Sequence, residues 1–294
     1  MRVLVTGASG HIGSAAVPEL LRAGHEVVGL ARSDTSAAAV QALGAEVRRG
    51  DTGDLDGLRE AAAESDGVIH LAFNHDSISA GNFADAAAAD LAVVQALGDA
   101  LAGTGKILMG VGLTRTGTEA GDRALDANPR SAGARAVAGL AERGVRSVLV
   151  AIPPVVHSPR DQHGFIPTLI GIARGAGVSA YVGDGANRWP AAHALDVGRL
   201  YGLALDKAPA GSQLFAAAEE GITVREIAET IGRHLGIPAV SIPAEQAADH
   251  FSSFPFITLD IPMSSAGTQQ LLDWKPEHPG LIADLDQGHY FTTG

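Results

Sequence analysis

Three glycines spaced three apart, Gly7, Gly10 and Gly13, follow directly on the apolar run Val3-Leu4-Val5. The segment Thr6-Gly7-Ala8-Ser9-Gly10-His11-Ile12-Gly13 therefore reads as the end of a strand, a tight loop and the start of a helix. Each glycine has its own task there. Gly7 allows the turn, Gly10 lets backbone N–H groups approach a ligand with no Cβ in the way, and Gly13 lets the helix lie close on the strand. A helix N-terminus presents unpaired N–H groups and the positive end of its dipole, which suits a pyrophosphate. A glycine triplet alone is as consistent with a plain structural turn, but here it falls at the strand-to-helix junction that phosphate binding requires. Gly7, Ser9, Gly10, His11, Ile12 and Gly13 are the expected dinucleotide-binding residues.

The end of the second predicted strand tells one dinucleotide from another, because an acid there would bind a ribose 2′-hydroxyl and repel a 2′-phosphate. The chain reads Leu30-Ala31-Arg32-Ser33 at this point. Arg32 offers a planar cationic fork and Ser33 a hydroxyl, both matched to phosphate oxygens, so NADP(H) is the expected cofactor. The competing reading of Arg32 is a solvated surface residue beside Asp34. Asp51, after the third strand, is placed either to reach an adenine amino group or to cap the helix beginning near Leu55. Leu71, Ala72 and Phe73, after the fourth strand, are expected to wall the cofactor.

These residues need a scaffold, and the chain supplies one. Predicted strands at Arg2–Thr6, Glu26–Leu30, Glu46–Arg49, Gly67–Leu71, Lys106–Val111 and Arg146–Ile152 alternate with predicted helices at His11–Ala23, Thr35–Leu43, Leu55–Glu64, Gly81–Leu101 and Ser131–Arg143. Such alternation predicts an α/β fold with a doubly wound parallel sheet of Rossmann type, whose ligand crevice lies beyond the carboxyl ends of the strands. Beyond Pro153-Pro154 turn signals come faster and the elements shorten, which predicts a smaller C-terminal α+β substrate lobe. The expected division is 1–155 for the dinucleotide-binding unit and 156–294 for the lobe, with strands shared across that boundary allowed.

Composition narrows the function. A net charge of −12 with no block of basic residues opposes nucleic-acid binding. The absence of cysteine removes thiolate catalysis, disulfides and Cys-type zinc sites, and fits a reducing interior, so a cytoplasmic location is expected. No apolar run approaches the roughly 18 residues of a membrane span. The apolar start Val3–Val5 breaks at Thr6-Gly7, too soon for a secretory signal, and is expected to be a buried strand. The 11 histidines show no metal-ligand spacing, so no metal is expected.

With the glycine loop, Gly50-Asp51, His70-Leu71-Ala72, Pro153-Pro154-Val155-Val156-His157, Trp189 with His193 and Asp196, and Leu271-Leu272-Asp273-Trp274-Lys275-Pro276, nearly the whole chain resembles extended or atypical short-chain dehydrogenases/reductases of the NAD-dependent epimerase/dehydratase group. The resemblance implies a Tyr-x-x-x-Lys pair, in which the phenol exchanges a proton with substrate and the ammonium lowers its pKa. This chain departs from that pattern. Tyr181, Tyr201 and Tyr290 are followed four residues on by Gly185, Leu205 and Gly294, and matching Ser131 to the family's serine puts Asn128 and Ala132 at the pair's positions. Thr114, with Arg115 beside it, is the nearest substitute for the hydroxyl usual after the fifth strand, against the reading of a loop threonine. His75, next to Asp76, is the preferred proton donor. His193 with Asp196 reads as lobe packing ahead of a catalytic dyad. Trp189 and Phe165 line either a substrate pocket or the core, and Tyr290-Phe291 docks the C-terminus on the body or on a partner subunit, a homodimer being one expected assembly. The leading expectation is an NADP(H)-dependent oxidoreductase acting on a small carbonyl or imine. A catalytically silent NADP(H)-binding sensor comes second and a sugar-nucleotide epimerase or dehydratase third.

Overall fold

The computed structural model describes residues 1–75, 82–113, 128–251 and 254–292. Seven parallel strands form the central sheet in the order β10-β6-β5-β4-β1-β2-β3. Their ranges are β1 Arg2–Thr6, β2 Glu26–Ala31, β3 Glu46–Arg49, β4 Gly67–His70, β5 Ile107–Gly112, β6 Arg146–Ala151 and β10 Ser212–Phe215. The crossover helices are α1 His11–Arg22, α2 Asp34–Ala42, α3 Leu55–Ala63, α4 Phe83–Leu101 and α5 Ser131–Gly139, the last continued by a 3₁₀ turn at Leu140–Arg143. The strands β1 to β6 meet their predicted places to within a residue at either end, and β10 is an addition to them.

Side-chain alternation along the buried strands builds two cores from one sheet. Val3 and Val5 of β1, Ile69 of β4, Ile107 and Met109 of β5 and Val148 and Val150 of β6 face one side, with Val17 and Leu20 of α1. Leu4, Val68, Leu108 and Leu149 face the other, with Leu58 of α3, Val94 and Leu97 of α4 and Val137 of α5. The first layer also receives α7, Ala194–Lys207, which packs along α1. Closeness there depends on Gly198, where a Cβ would lie 2.5 Å from the Ala15 carbonyl oxygen. Both α7 and β10 come from beyond residue 156, so the sheet layer is completed by a return of the chain.

The second lobe is built on a three-stranded sheet, β11 Glu219–Thr223, β9 Arg188–His193 and β7 Val155–His157, and a parallel pair, β8 Ser179–Val182 with β12 Ala239–Ile242. Helices α6 Phe165–Ala176 and α8 Val224–Leu235 cover it. The chain ends through α9 Ala266–Leu272 and α10 Leu281–Leu285. Among the described residues no helix is long and apolar enough to cross a membrane.

One buried acid fastens this tail. Asp196 in α7 accepts N–H groups from Glu277 (3.0 Å) and His278 (3.1 Å) and pairs with His278 Nδ1 at 2.8 Å, while its own carbonyl accepts Trp274 Nε1–H at 3.0 Å. Asp196 and Trp274 are both fully buried. Trp274→Ala is expected to cost about 3–5 kcal/mol through the cavity and the lost hydrogen bond, read as a lower urea midpoint with the m-value unchanged.

Candidate functional site

The C-terminal ends of β1 and β4 set the glycine loop. Gly7 has a positive φ of 70°, and a Cβ there would lie 2.7 Å from Ala72 N, so only glycine lets the loop rest on the backbone that leaves β4. A Cβ at Gly13 would fall on the Gly7 carbonyl, which is the close helix-to-strand packing expected for it. Gly10 N donates to Gly7 O at 3.0 Å and closes the turn. Gly10 is the N-cap of α1 and has no side-chain cap to offer, so the first N–H groups of the helix, on His11, Ile12 and Gly13, face outward as an anion cradle. Ser9 and Ile12 are half-buried in the same turn. A backbone nest of this kind, with glycine at each close approach, fits a pyrophosphate.

Beneath the loop lies a buried polar network. Thr6 Oγ1 accepts the N–H groups of Leu71 and Ala72, each at 3.2 Å, and so donates its own proton to His70 Nδ1 at 2.7 Å. That leaves His70 Nε2–H to donate to Asp90 Oδ1 of α4 at 3.2 Å. Gly133 of α5 leaves room for this carboxylate, since a Cβ there would stand 3.1 Å from Asp90 Oδ2. Asp90 also acts on Arg130, the residue just before α5. Burial lowers the Arg130 pKa and the Asp90 carboxylate opposes that shift. The guanidinium carbon lies 4.0 Å from the centre of the Phe73 ring. A cation at the positive end of a helix is unfavourable by itself, and here the aromatic face and Asp90 offset that cost. Arg130 was not singled out in the sequence, where attention fell on its neighbours Asn128, Ser131 and Ala132.

The residues expected to select the cofactor follow β2. Arg32 is exposed at the end of β2. Ser33 is the N-cap of α2 in a reciprocal capping box with Ser36, so its hydroxyl already serves the helix. A second arginine stands beside them. Arg49 is paired with Ala31 in the β2–β3 register and reaches the Ser33 carbonyl and Asp34 Oδ1, both at 2.7 Å. Asp51 is exposed after β3 and accepts Gly53 N–H at 2.8 Å. The cap of α3 is Asp54, which accepts Gly57 N–H at 3.0 Å, so the helix-cap reading of Asp51 is corrected.

Thr114, Arg115 and Asp76 lie outside the described residues. His75 is exposed at the rim, its Nδ1 3.2 Å from the Phe73 carbonyl and its ring edge-on to the Phe73 ring at 5.4 Å. The tyrosines are elsewhere. Tyr201 is buried in the α1–α7 layer with its pKa raised by burial, Tyr181 is on β8, and Tyr290 is in the tail. Trp189 is fully buried among Phe165 and Phe254 and gives its Nε1–H to Leu259 O, which makes it core, while half-buried Phe165 stacks on exposed Phe256. His193 Nδ1 accepts Leu195 N–H as the cap of α7, and its ring stacks on His278, so it belongs to the packing around Asp196. Among the described residues no group of three or more His, Asp or Glu side chains could hold a metal ion.

His11 carries the loop across to the second lobe. Its Nε2 lies 2.7 Å from Ser158 Oγ. Burial, followed by the fields of His193, Arg160 and His157, holds its pKa down at about 4, so the ring is neutral at physiological pH.

A family model described as NAD dependent epimerase/dehydratase matches residues 3–113. An uncharacterized protein of Schizosaccharomyces pombe is 44% identical over 99% of this chain and 100% of its own length. Another, of Saccharomyces cerevisiae, is 39% identical over 97% of this chain and 98% of its own. Among solved structures, UDP-glucuronic acid 4-epimerase from Bacillus cereus, in complex with UDP-glucuronic acid and NAD, superposes with a TM-score of 0.72 at 18% identity, over 99% of this chain and 98% of that one.

The depressed pKa of His11 has a signed consequence. Between about pH 4 and pH 6.5 the unfolded chain binds a proton at this position that the folded chain does not, so the group makes stability rise with pH across that window. His11→Gln, which cannot titrate, is expected to flatten the rise of the urea midpoint between about pH 4.5 and pH 7; a slope equal to the parent's would contradict the assignment.

Proposed function

The chain belongs to the NAD dependent epimerase/dehydratase family, and on that footing we propose that it is an NADP(H)-dependent oxidoreductase that moves a hydride between the nicotinamide and a small carbonyl or imine carbon. The observation that carries the reading is the pair of arginines at the ends of β2 and β3, next to an uncapped glycine-loop helix. Where an acid would be needed for a 2′-hydroxyl, Arg32 follows β2, and Arg49 stands one strand over against Ser33 and Asp34. Two guanidinium groups around one position favour a dianionic 2′-phosphate.

When bound, the reduced dinucleotide supplies the hydride. The chain's part is to place and polarise. Backbone N–H groups of His11, Ile12 and Gly13 would hold the pyrophosphate, Ala72 and Phe73 would wall the crevice beside Gly7, and Asp51 would serve the adenine end. Arg130, held between Phe73 and Asp90, puts a permanent positive charge at the head of the helix that follows β5. In a partly dehydrated crevice such a charge stabilises the negative oxygen that develops as hydride reaches the carbonyl carbon. The proton that completes the alcohol then comes from His75 at the rim, from Thr114, or from water.

Sugar-nucleotide epimerisation is the second reading, supported by the likeness over nearly the full length to UDP-glucuronic acid 4-epimerase. Against it stands the missing Tyr-x-x-x-Lys pair.

NADPH is expected to bind at least about tenfold tighter than NADH, with Arg32→Ala and Arg49→Ala each cutting that preference by about tenfold or more, the usual loss for a charge-assisted contact. Fluorescence titration measures it, and equal affinities in the parent would end the NADP(H) reading. NADPH oxidation at 340 nm over a panel of aldehydes, ketones, diketones and cyclic imines, with UDP-glucose followed separately for epimerisation, tests the reaction. Arg130→Met is expected to lower kcat by about 100-fold while leaving NADPH affinity within a few-fold. A silent panel with tight NADPH binding would instead favour a cofactor sensor.

A further inference from the structure

The first turn of α1 has no side-chain cap, and its own bonds, Gly10 N–H to Gly7 O and Ser14 Oγ–H to the His11 carbonyl, hold its backbone but not the His11 ring. A further hold comes from the other lobe. His11 Nε2 meets Ser158 Oγ at 2.7 Å, across a sequence separation of 147 residues. Ser158 Oγ accepts Arg160 N–H at 3.1 Å, which leaves its own O–H to donate to the neutral imidazole.

Ser158 in turn is held by the end of the chain. Its backbone N–H donates to the Tyr290 hydroxyl at 3.2 Å, and that hydroxyl donates to Asp161 Oδ2 at 2.9 Å. Asp161 Oδ1 accepts Gly164 N–H at 2.9 Å, which ties the chain of bonds to the start of α6. One residue before Ser158, His157 Nδ1 pairs with Asp284 Oδ2 of α10 at 2.8 Å. His157, Ser158, Asp161 and Asp284 are all buried. The tail therefore grips the segment 157–161 at two points, on either side of the serine that meets the glycine loop.

We infer that Ser158 and Tyr290 are positioning residues for the dinucleotide: acting through His11, they hold the glycine loop in its binding geometry from the C-terminal lobe. The inference rests on the cofactor reading given above. Hydrogen bonds in a buried chain polarise and orient one another, so removing a distal member loosens the proximal one. A nest of N–H groups loses affinity quickly when its direction is allowed to wander, because the bound state must then order it.

The test uses the full-length chain and NADPH or NADH as probe. Ser158→Ala and Tyr290→Phe are each expected to weaken NADPH binding by about five- to tenfold, the range of a single hydrogen bond, and to raise the KM for NADPH with kcat changed little. Ser158→Thr, which keeps the hydroxyl, is expected to restore parent affinity. Coupling separates positioning from general loosening. If Ser158 acts through His11, the double variant His11→Ala/Ser158→Ala binds no more weakly than His11→Ala alone; losses that simply add would overturn the inference, as would parent affinity in both single variants. Failure of Ser158→Thr to rescue would also overturn it. If the parent chain binds neither dinucleotide, the cofactor reading fails and this inference with it, an outcome distinct from tight parent binding with unaffected variants.

Discussion

The hydroxyl of Thr6 is the point on which the site's geometry turns. β1 and β4 run side by side with Thr6 opposite His70, and beyond that pair the two chains separate toward the loop and the crevice wall. A buried backbone leaving a sheet has N–H groups that must find partners, and those of Leu71 and Ala72 both find Thr6 Oγ1. The hydroxyl has one proton left to give, and His70 takes it, which sets the histidine tautomer and passes the bond on to Asp90. A valine, equal in shape, would leave the Ala72 amide and an imidazole nitrogen unpaired, at about 1–3 kcal/mol each, while the Leu71 amide would keep its bond to the Thr6 carbonyl. Because residues 71–73 are fixed this way, Gly7 can press on Ala72, and Phe73 can present its face to Arg130.

What could be read from the sequence was local. β-branched runs marked six strands of the sheet, and the glycine spacing marked the loop, because both are written in consecutive residues. The seventh strand, β10, is four residues long and joins β6 from far along the chain, so no periodicity nearby announces its place. In sequence Arg49 is one of two adjacent arginines, Arg48-Arg49. Its relevance depends on the register that sets it opposite Ala31, and register is a tertiary fact. Arg130 is hidden for a similar reason: in sequence it is a helix-start arginine, and its Phe73 face and Asp90 neighbour both come from the preceding crossover, between β4 and β5. The cap of α3 was misread by three residues because Asp51 and Asp54 both suit the start of a helix, and only backbone geometry chooses between them.

The two lobes meet over an unusual number of imidazoles. His157 meets His193 edge-on and His193 stacks on His278, with His11 near one end and with Asp284 and Asp196 as the buried acids beside them. Burial lowers the pKa of both His11 and His193, which favours the neutral ring at those two places. The choice of histidine over lysine or arginine at these places lets a polar contact cross between lobes without bringing a full positive charge into the interior. Ser158 can then donate to His11, a bond that a protonated ring could not accept.

The same distinction bears on the chemistry. In the family's usual pattern a phenol and an ammonium together polarise the substrate oxygen and hand it a proton. In the proposed reaction Arg130 would do only the first of these. A guanidinium keeps its proton at any pH the protein survives, even with burial lowering its pKa, so it can stabilise a developing alkoxide and cannot neutralise it. Proton delivery must then be a separate act, by a group with water access. His75, one of the proposed donors, is exposed two residues from Phe73, whose ring faces Arg130. In that proposal, splitting polarisation from protonation would remove the need for a tyrosine at the head of α5. The cost falls on orientation, because the two halves now sit on different segments, and the crevice wall at residues 71–73 has to keep them in register.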